Sequence, residues 1–198
     1  MVQENMSSER VAPAALLGVL SDLQSAEKEA SEIIARTSAT QANWQPNEGR
    51  SWSIVQCLSH LARTNRIYAA AMKEAVARAN VHSELASQGI SPGFLGAWFI
   101  RSLEPPVRKR MKAPSKVHPV IQADYKDALA EFVDSHEPLR RVIEVASGVD
   151  VNRIRFKNPF IPFLRFTLGT GLLVISAHDR RHLWQANQVT VARGFPAS

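Results

Sequence analysis

The stretch "SWSIVQCLSHLARTNRIYAAAMKEAVARA", residues 51–79, is the longest part of the chain that has the pattern of one helix. It opens with serines, which favour helix starts, and it contains neither glycine nor proline. Its apolar residues recur at three- and four-residue steps, as they do on one face of an amphipathic helix. The pattern therefore predicts one long helix whose apolar face needs partners.

Three other segments, at about 13–36, 121–147 and 168–192, have the same periodicity. Pro138 must kink or break the third of them, because proline cannot donate the interior hydrogen bond. The last segment ends before Gly194, a residue type that commonly follows a helix. These segments supply the partners that the long helix requires.

The links between the helices differ in length. Residues 37–50 have the composition of a turn-like link. Residues 89–119 form a long connection rich in glycine and proline, apart from a predicted short helix at 94–103. Connections of this length in a compact domain are usually functional, for example as lids. Prolines in residues 153–163 oppose a helix there and allow a short strand.

Four long amphipathic helices and almost no strand predict an all-α fold, a four-helix bundle. A chain of 198 residues is long enough for one well-buried core, so we expect a single domain over residues 1–198. The long connection between helices 2 and 3 permits a crossover. Periodicity alone therefore leaves the order of helix directions open.

Cysteine content and hydropathy bear on the cellular compartment in which we expect the protein. Cys57 is the only cysteine, which excludes a disulfide within the chain and a metal site made of cysteines alone. We expect it to be a small buried apolar filler. The beginning of the chain is polar, and the most apolar run, "GLLVISA", is too short to span a bilayer. These features favour a cytoplasmic protein with no membrane partner.

The net charge of +6 raises the question of nucleic-acid binding. The densest basic segment, "RKRMKAPSK" from Arg108 to Lys116, has five cations but no aromatic side chains among them. Single-strand binding uses stacking rings, and duplex recognition uses a dedicated element; neither is visible. We expect a solvated loop here and no nucleic-acid partner.

The segment "HDRRHLWQ" places His178 and His182 four residues apart on a predicted helix. Residues four apart point the same way and lie about 6 Å apart along the axis. Their face is mostly apolar, so we expect the charged residues Asp179, Arg180 and Arg181 on the outer face. Two buried imidazoles either share a metal ion, for which neutral imidazole is a preferred ligand, or hydrogen-bond to neighbours and water.

A zinc-protease site is not expected. The HExxH motif needs a glutamate where Asp179 stands, and no histidine follows His182. A third metal ligand would have to come from another part of the chain. His60 lies mid-helix on an inward line and is a plausible ligand, and His136 is a weaker alternative beside a helix irregularity. His82 and His118 lie in or beside breaker-rich segments.

Two stretches, "NWQPNEGRSWSIVQCLSHLARTNRIY" and "KNPFIPFLRFTLGTGLLVISAHDRRHLWQANQV", closely resemble the DinB-like superfamily, which includes YfiT-type proteins. The family pattern places tryptophan, serine and isoleucine before a long helix that carries one histidine. It then places an HxxxH-like sequence with a nearby glutamine on the fourth helix. The matching residues here are Trp52, Ser53, Ile54, His60, His178, His182 and Gln185.

The resemblance implies an up-down-down-up bundle and a divalent metal ion, usually zinc or nickel, at one end of it. By position the ligands would be His60, His178 and His182. Dimers are common in the family, so the resemblance implies a homodimer. Relatives include S-transferases and isomerases that use low-molecular-weight thiols; others were proposed as metal-dependent hydrolases, and many have no known activity.

The resulting hypothesis is a metal-dependent enzyme. The ion would activate a low-molecular-weight thiol or water for attack on a small electrophile, as in an S-transferase or a hydrolase. The alternative is a non-catalytic metal- or ligand-binding stress-response protein. Gln56 and Gln185 are candidates for lining the pocket or orienting a ligand, or they satisfy helix neighbours. No catalytic residue is identified.

Three tryptophans near these motifs also need a role. We expect Trp52 and Trp184 to be packing anchors rather than cofactor stackers. Trp98, in the short helix of the long connection, would line a lid, contact a second copy of the chain, or cover the core.

Overall fold

The computed structural model describes residues 13–79, 89–107, 113–119 and 123–197. The polar start of the chain, His82 and the first part of the basic segment from Arg108 lie outside the described residues, so the predictions made for them are not tested by the structure. The helices are α1 Ala14–Ala35, α2 Ala39–Asn43, α3 Ile54–Arg78, α4 Gly93–Leu103, α5 Tyr125–Asp134, α6 Glu137–Ala146 and α7 Leu168–Thr190. The strands are β1 Arg155–Lys157 and β2 Arg165–Thr167. The predicted all-α class is confirmed.

Helices α1 and α7 run parallel to each other. Arg180 pairs with Asp22 at 2.9 Å. Further along both helices, Asn187 donates a hydrogen bond to Glu29 at 2.6 Å. From the first contact to the second, the residue numbers increase along both helices, so α1 and α7 point in the same direction.

Helix α3 runs antiparallel to α7. His60, near the start of α3, meets His178 in the middle of α7. Met72, near the end of α3, packs against Gly171 at the start of α7. One core cluster joins the first half of α3 to α5, and the other joins its second half to α6, so α5 and α6 run parallel to α3. The bundle is therefore up-down-down-up, as the resemblance implied.

Reciprocal capping boxes stand at the start of two helices. Ser53 accepts a hydrogen bond from the backbone N–H of Gln56, and the Gln56 side chain accepts one from the backbone N–H of Ser53. This reciprocal capping satisfies two donors that the first turn of α3 leaves unpaired. Ser38 and Gln41 form the same arrangement at α2. Helix α2 lies in the segment expected to be only a turn-like link, so that expectation was too simple.

The third long helix is broken where proline predicted a kink. Helix α5 ends at Asp134 and α6 begins at Glu137, with Pro138 in its first turn. Proline is tolerated there because first-turn N–H groups have no helical partner. The predicted start of this helix, at residue 121, lies outside the described residues.

A small antiparallel hairpin adds to one end of the bundle. Residues 153–163 were expected to hold at most one short strand, and β1 lies there. Strand β2 was not predicted; it pairs Phe166 with Phe156, both buried. Gly171 allows this packing, since a Cβ atom there would lie 2.5 Å from the Phe156 ring.

The long connection between α3 and α5 contains the predicted short helix, α4, which packs on α7. Phe99 of α4 contacts Phe166 of the hairpin, with ring centroids 5.4 Å apart. Gly96 lies against Thr170, where a Cβ atom would come within 2.9 Å of the threonine methyl group. Across the described helices, none combines the length and the apolar character that a bilayer span requires.

The expected outer face of α7 is wrong at two residues. Asp179 is 1% exposed and Arg181 is 6% exposed, whereas Arg180 is half-buried and pairs with Asp22 and Glu104. The cause is the position of α7, which α1, α3 and α4 contact from different sides. A helix surrounded in this way has almost no solvent face, so its charged residues must find partners inside the protein.

Candidate metal centre

Helices α3 and α7 bring His60, His178 and His182 together. One ring nitrogen from each lies within 4.8 Å of the others, and the Nε2 atoms of His60 and His178 are 3.3 Å apart. The imidazole centroids of His60 and His182 are 4.6 Å apart. Among the described residues, this is the group of three that could hold a metal ion.

Hydrogen bonds fix which nitrogen of two rings is free. His60 Nδ1 lies 2.7 Å from the backbone carbonyl of Val117, and His182 Nδ1 lies 3.0 Å from Gln185 Oε1. Since both partners are acceptors, each Nδ1 carries the hydrogen, and each neutral ring has its lone pair on Nε2. Such contacts behind the ring orient metal-binding histidines and raise their basicity.

His178 completes the group but has a different environment. Its Nδ1 is buried and has no hydrogen-bond partner among the described residues, while its Nε2 faces His60 Nε2. Two nitrogens bound to one tetrahedral zinc ion at about 2.0–2.1 Å lie about 3.3 Å apart. The separation of these two Nε2 atoms equals that value, and the donor set therefore fits a divalent metal ion.

Burial keeps the three imidazoles neutral. It lowers the pKa of His60 and holds the pKa of both His178 and His182 well below the usual histidine value. The neighbouring imidazoles and the positive charge of Arg181 lower the pKa of the two α7 histidines further. Neutral imidazole is the form that binds metal ions. The electrostatics thus prepare all three rings as ligands at neutral pH.

Trp52 covers one side of the histidines. Its ring stacks on His182 with centroids 5.5 Å apart and an interplanar angle of 27°, and it lies 4.8 Å from the His60 ring. It also packs against the core cluster around the start of α3. Trp52 is a packing anchor, as expected, but no sequence pattern indicates that two of the rings it packs on are the imidazoles of His60 and His182.

Gln56 and Gln185 have different positions. Gln185 holds His182 from behind, through the hydrogen bond between Oε1 and Nδ1. Gln56 lines the same cavity, but its Oε1 is occupied by the Ser53 backbone N–H and by the Gln45 amide. Gln185 therefore orients a histidine of the candidate metal centre, whereas the Gln56 side chain first caps the start of α3.

His136, the weaker alternative ligand, belongs to another network. Its Nδ1 lies 2.8 Å from Glu27 and its Nε2 lies 3.0 Å from Asp179. A ring with a carboxylate at each nitrogen has no lone pair left for a metal ion. His118 lies at the cavity wall, outside the group of three, with its Nε2 3.1 Å from the Ala113 carbonyl.

The three histidines open into a cleft of about 1280 Å³. The long connection forms part of its wall through Leu103, Val107 and Val117, and α7 contributes Trp184. Val117 is buried and also supplies the carbonyl that orients His60. Residues of the long connection therefore form part of the wall of the cleft into which the candidate metal centre opens.

Several functional contacts had no signal in the sequence. The Val117 carbonyl is a backbone group, 57 residues from His60, which no side-chain pattern reveals. The pairing of Asn158 with Tyr68 at the cleft wall likewise joins residues 90 positions apart. Only the packing of the connection and the hairpin onto the bundle creates these contacts.

A family model described as the DinB superfamily matches residues 22–186. The match includes α3, the part of α7 up to Ala186 and all three histidines of the candidate centre. No curated protein and no solved structure matches the chain.

Proposed function

The chain belongs to the DinB superfamily, and we propose that it binds a divalent metal ion, zinc or nickel, through His60, His178 and His182. We propose further that it is an enzyme, in which the ion activates a low-molecular-weight thiol or water for attack on a small electrophile. One observation carries this proposal: three neutral imidazoles converge within 4.8 Å at the wall of a large cleft.

Three protein ligands are typical of catalytic zinc sites, where a coordination position stays open. A metal ion held there acts as a Lewis acid and lowers the pKa of a thiol or water ligand. The protein contributes the orientation of the imidazoles, through the Val117 carbonyl and Gln185. Trp52 excludes water from one side of the rings, and the cleft supplies room for the electrophile.

Thiol activation is the better supported of the two reaction types. Metal-dependent hydrolysis commonly uses a carboxylate as general base, as in the HExxH motif. Asp179, which occupies the corresponding position here, accepts hydrogen bonds from His136 and Asn65 within the bundle. A thiol that passes its proton to solvent water as its sulfur binds the ion would need no such base, so an S-transferase reaction fits this site.

The test of the metal centre is metal analysis after purification without chelator. We expect close to one divalent ion per wild-type chain and a large loss in His60→Ala. His118→Ala is the matched control, because His118 also lines the cleft but lies outside the group of three. Circular dichroism of each variant checks that it is folded. Equal metal content in wild type and His60→Ala would remove His60 from the site.

The test of catalysis is a screen of common thiols with small electrophiles, using metal-loaded protein. Turnover that disappears with the metal and in His60→Ala would support the enzyme. A protein that binds its metal but turns over none of these pairs would instead be the non-catalytic metal- or ligand-binding stress-response protein. The open cleft under the long connection favours the enzyme.

We also propose a homodimer that uses the outer face of α4. Phe94, Leu95 and Trp98 on this face are 81%, 66% and 58% exposed. Exposed apolar patches of this kind commonly mark contact sites, and a second copy of the chain would cover it. Sedimentation should show a wild-type dimer that Trp98→Glu converts to a monomer. A wild-type monomer at all concentrations would contradict this assignment.

A further inference from the structure

A row of polar side chains leads away from the metal centre along α3. His60, Thr64 and Tyr68 are spaced by four residues, so they lie on one face of the helix. All three line the cleft. Each step of four residues advances about 6 Å along the axis, so Thr64 and Tyr68 lie about 6 and 12 Å from His60 in that direction.

The Thr64 hydroxyl is buried and unpartnered among the described residues. Thr64 is only 3% exposed, although it lies at the cleft wall. A buried polar group without a partner is unfavourable, and such groups in native proteins need an explanation. A ligand in the cleft that offers an acceptor atom would supply the missing hydrogen bond.

Tyr68 presents a second hydroxyl donor. Asn158 Oδ1 accepts hydrogen bonds from the backbone N–H groups of Phe160 and Ile161, which fixes the amide so that Nδ2 donates to Tyr68 Oη at 2.8 Å. Tyr68 Oη is the acceptor in that bond, so its own hydrogen is directed to another partner. Burial raises the pKa of Tyr68, which keeps the phenol protonated as a donor.

The charge of the cleft selects the sign of the ligand. The described residues that line it include Arg181 and Arg50, the latter paired with Glu48 at 3.2 Å, but neither aspartate nor glutamate. A cavity lined by one sign of charge attracts ligands of the opposite sign. Two hydroxyl donors in such a cavity suit the oxygens of a carboxylate, because hydrogen bonds to a charged acceptor are the stronger ones.

We propose that Thr64 and Tyr68 form a carboxylate subsite, and that the thiol or substrate of this protein is a small molecule that carries a carboxylate one to two helical turns from its metal-binding atom. This inference rests on the proposed metal centre. The inference adds the chemical class of the ligand and the residues that recognise that ligand.

The experiment uses cobalt(II)-loaded protein, because thiolate binding to cobalt is visible by absorption. Mercaptohexanoate and mercaptohexanol are titrated in parallel; they share the thiol and the chain length and differ in the carboxylate. We expect wild type to bind the carboxylate thiol about tenfold more tightly. The carboxylate of mercaptoacetate cannot reach Thr64 from the metal ion, so that carboxylate should give no tenfold gain in affinity.

Thr64→Val removes the hydroxyl and keeps the shape of the side chain. It should weaken mercaptohexanoate binding about tenfold and weaken mercaptohexanol binding less, because a neutral hydroxyl is a weaker acceptor than a carboxylate, while Thr64→Ser should restore the preference. Ser176→Ala is the matched control, because the Ser176 hydroxyl is also buried and unpartnered among the described residues but does not line the cleft. It should bind both thiols like wild type.

The outcomes separate the two proposals. Protein that takes up no cobalt overturns the metal centre and this subsite together. Protein that takes up cobalt and binds both six-carbon thiols equally overturns the subsite alone, as does a Thr64→Val variant with an unchanged preference. Tyr68→Phe gives an independent check, since it removes the second donor without touching Thr64.

Discussion

The three clustered histidines and the single His136 both lie at α7, and they differ in what surrounds them. The group of His60, His178 and His182 contains three imidazoles and no carboxylate. The other group is the single ring of His136, which lies between Glu27 and Asp179. His178 and Asp179 are neighbours in sequence, yet each faces a different group.

The charge state follows from these neighbours. Burial lowers the pKa of all three clustered histidines. Burial also acts to lower the pKa of His136, but the hydrogen bonds and charges of Asp179 and Glu27 outweigh it and raise that pKa. One group is neutral and can bind a metal ion; the other is a cation held by two anions.

Burial alone does not identify a metal-binding histidine. His136 is fully buried and faces the interior, as His60 does. Its two ring nitrogens are consumed by carboxylates, whereas His60 and His182 each leave Nε2 free. The presence or absence of an acid at the second nitrogen separates a structural ion pair from a ligand.

The largest expected effect on stability is that of His136→Gln. It leaves the buried Asp179 without its cation, whereas the half-buried Glu27 keeps its pairing with Arg140 at 2.6 Å, so we expect a loss of about 3 kcal/mol in the free energy of unfolding. The matched change His178→Gln, in metal-free protein, should cost less than about 1 kcal/mol, because it removes a neutral ring with an unpartnered nitrogen. Urea unfolding with a chelator present measures both. Equal losses of unfolding free energy in the two variants would contradict the prediction that His136 stabilises the fold more than His178 does.

The difference in stability between wild type and His136→Gln should change with pH in one direction. The folded-state pKa of His136 is raised above its usual value of 6.5, so its stabilising contribution is complete below that value and is lost as pH rises through the raised pKa. The gap between wild type and His136→Gln should therefore narrow as pH rises above neutral. Each unit of pKa shift corresponds to about 1.4 kcal/mol. A gap that widens with pH would mean that His136 is neutral.

The clustered histidines should show the opposite slope. Their folded-state pKa values are lowered, so their contribution is complete above the unfolded value of 6.5 and is lost as pH falls below it. Metal-free protein should lose stability on acidification, and a variant with glutamine at all three positions should lose less. Urea unfolding of both proteins across this range tests the prediction. Identical pH profiles would show that the three rings do not resist protonation.

A smaller effect should follow Gln185→Ala, which removes the hydrogen bond that orients His182. Loss of such a contact behind a ligand typically costs 10–100-fold in metal affinity, and we expect about tenfold here. Competition with a zinc indicator measures the affinity, and urea unfolding checks that stability changes little. An unchanged zinc affinity would show that α7 alone orients His182.

The smallest expected effect is that of Gln56→Ala. It removes half of the capping box at the start of α3, which should cost about 1 kcal/mol of stability. Zinc affinity should stay as in wild type, because Gln56 contacts the cap and Gln45 rather than an imidazole. A loss of affinity without a loss of stability would instead place Gln56 at the bound ligand.

Much of this fold could be predicted from local pattern. The start and end of α1, α3 and α7 lie within a few residues of their predicted bounds, and the helix break beside Pro138 occurs as expected. The inward placement of His178 and His182 on one face also followed from their spacing. Strand β2 was missed because a three-residue strand exists only through its partner. The burial of Asp179 was missed because its partner His136 lies 43 residues away.

Four amphipathic helices and two histidines on one line follow from local sequence, because helical periodicity repeats every 3.6 residues and needs only local information. Which of the histidines could bind a metal ion depends on the packing of the helices. The protonation of an imidazole depends on the charges within a few ångströms of it. For His136 those charges come from Asp179 and Glu27, 43 and 109 residues away, which only folding brings to the ring.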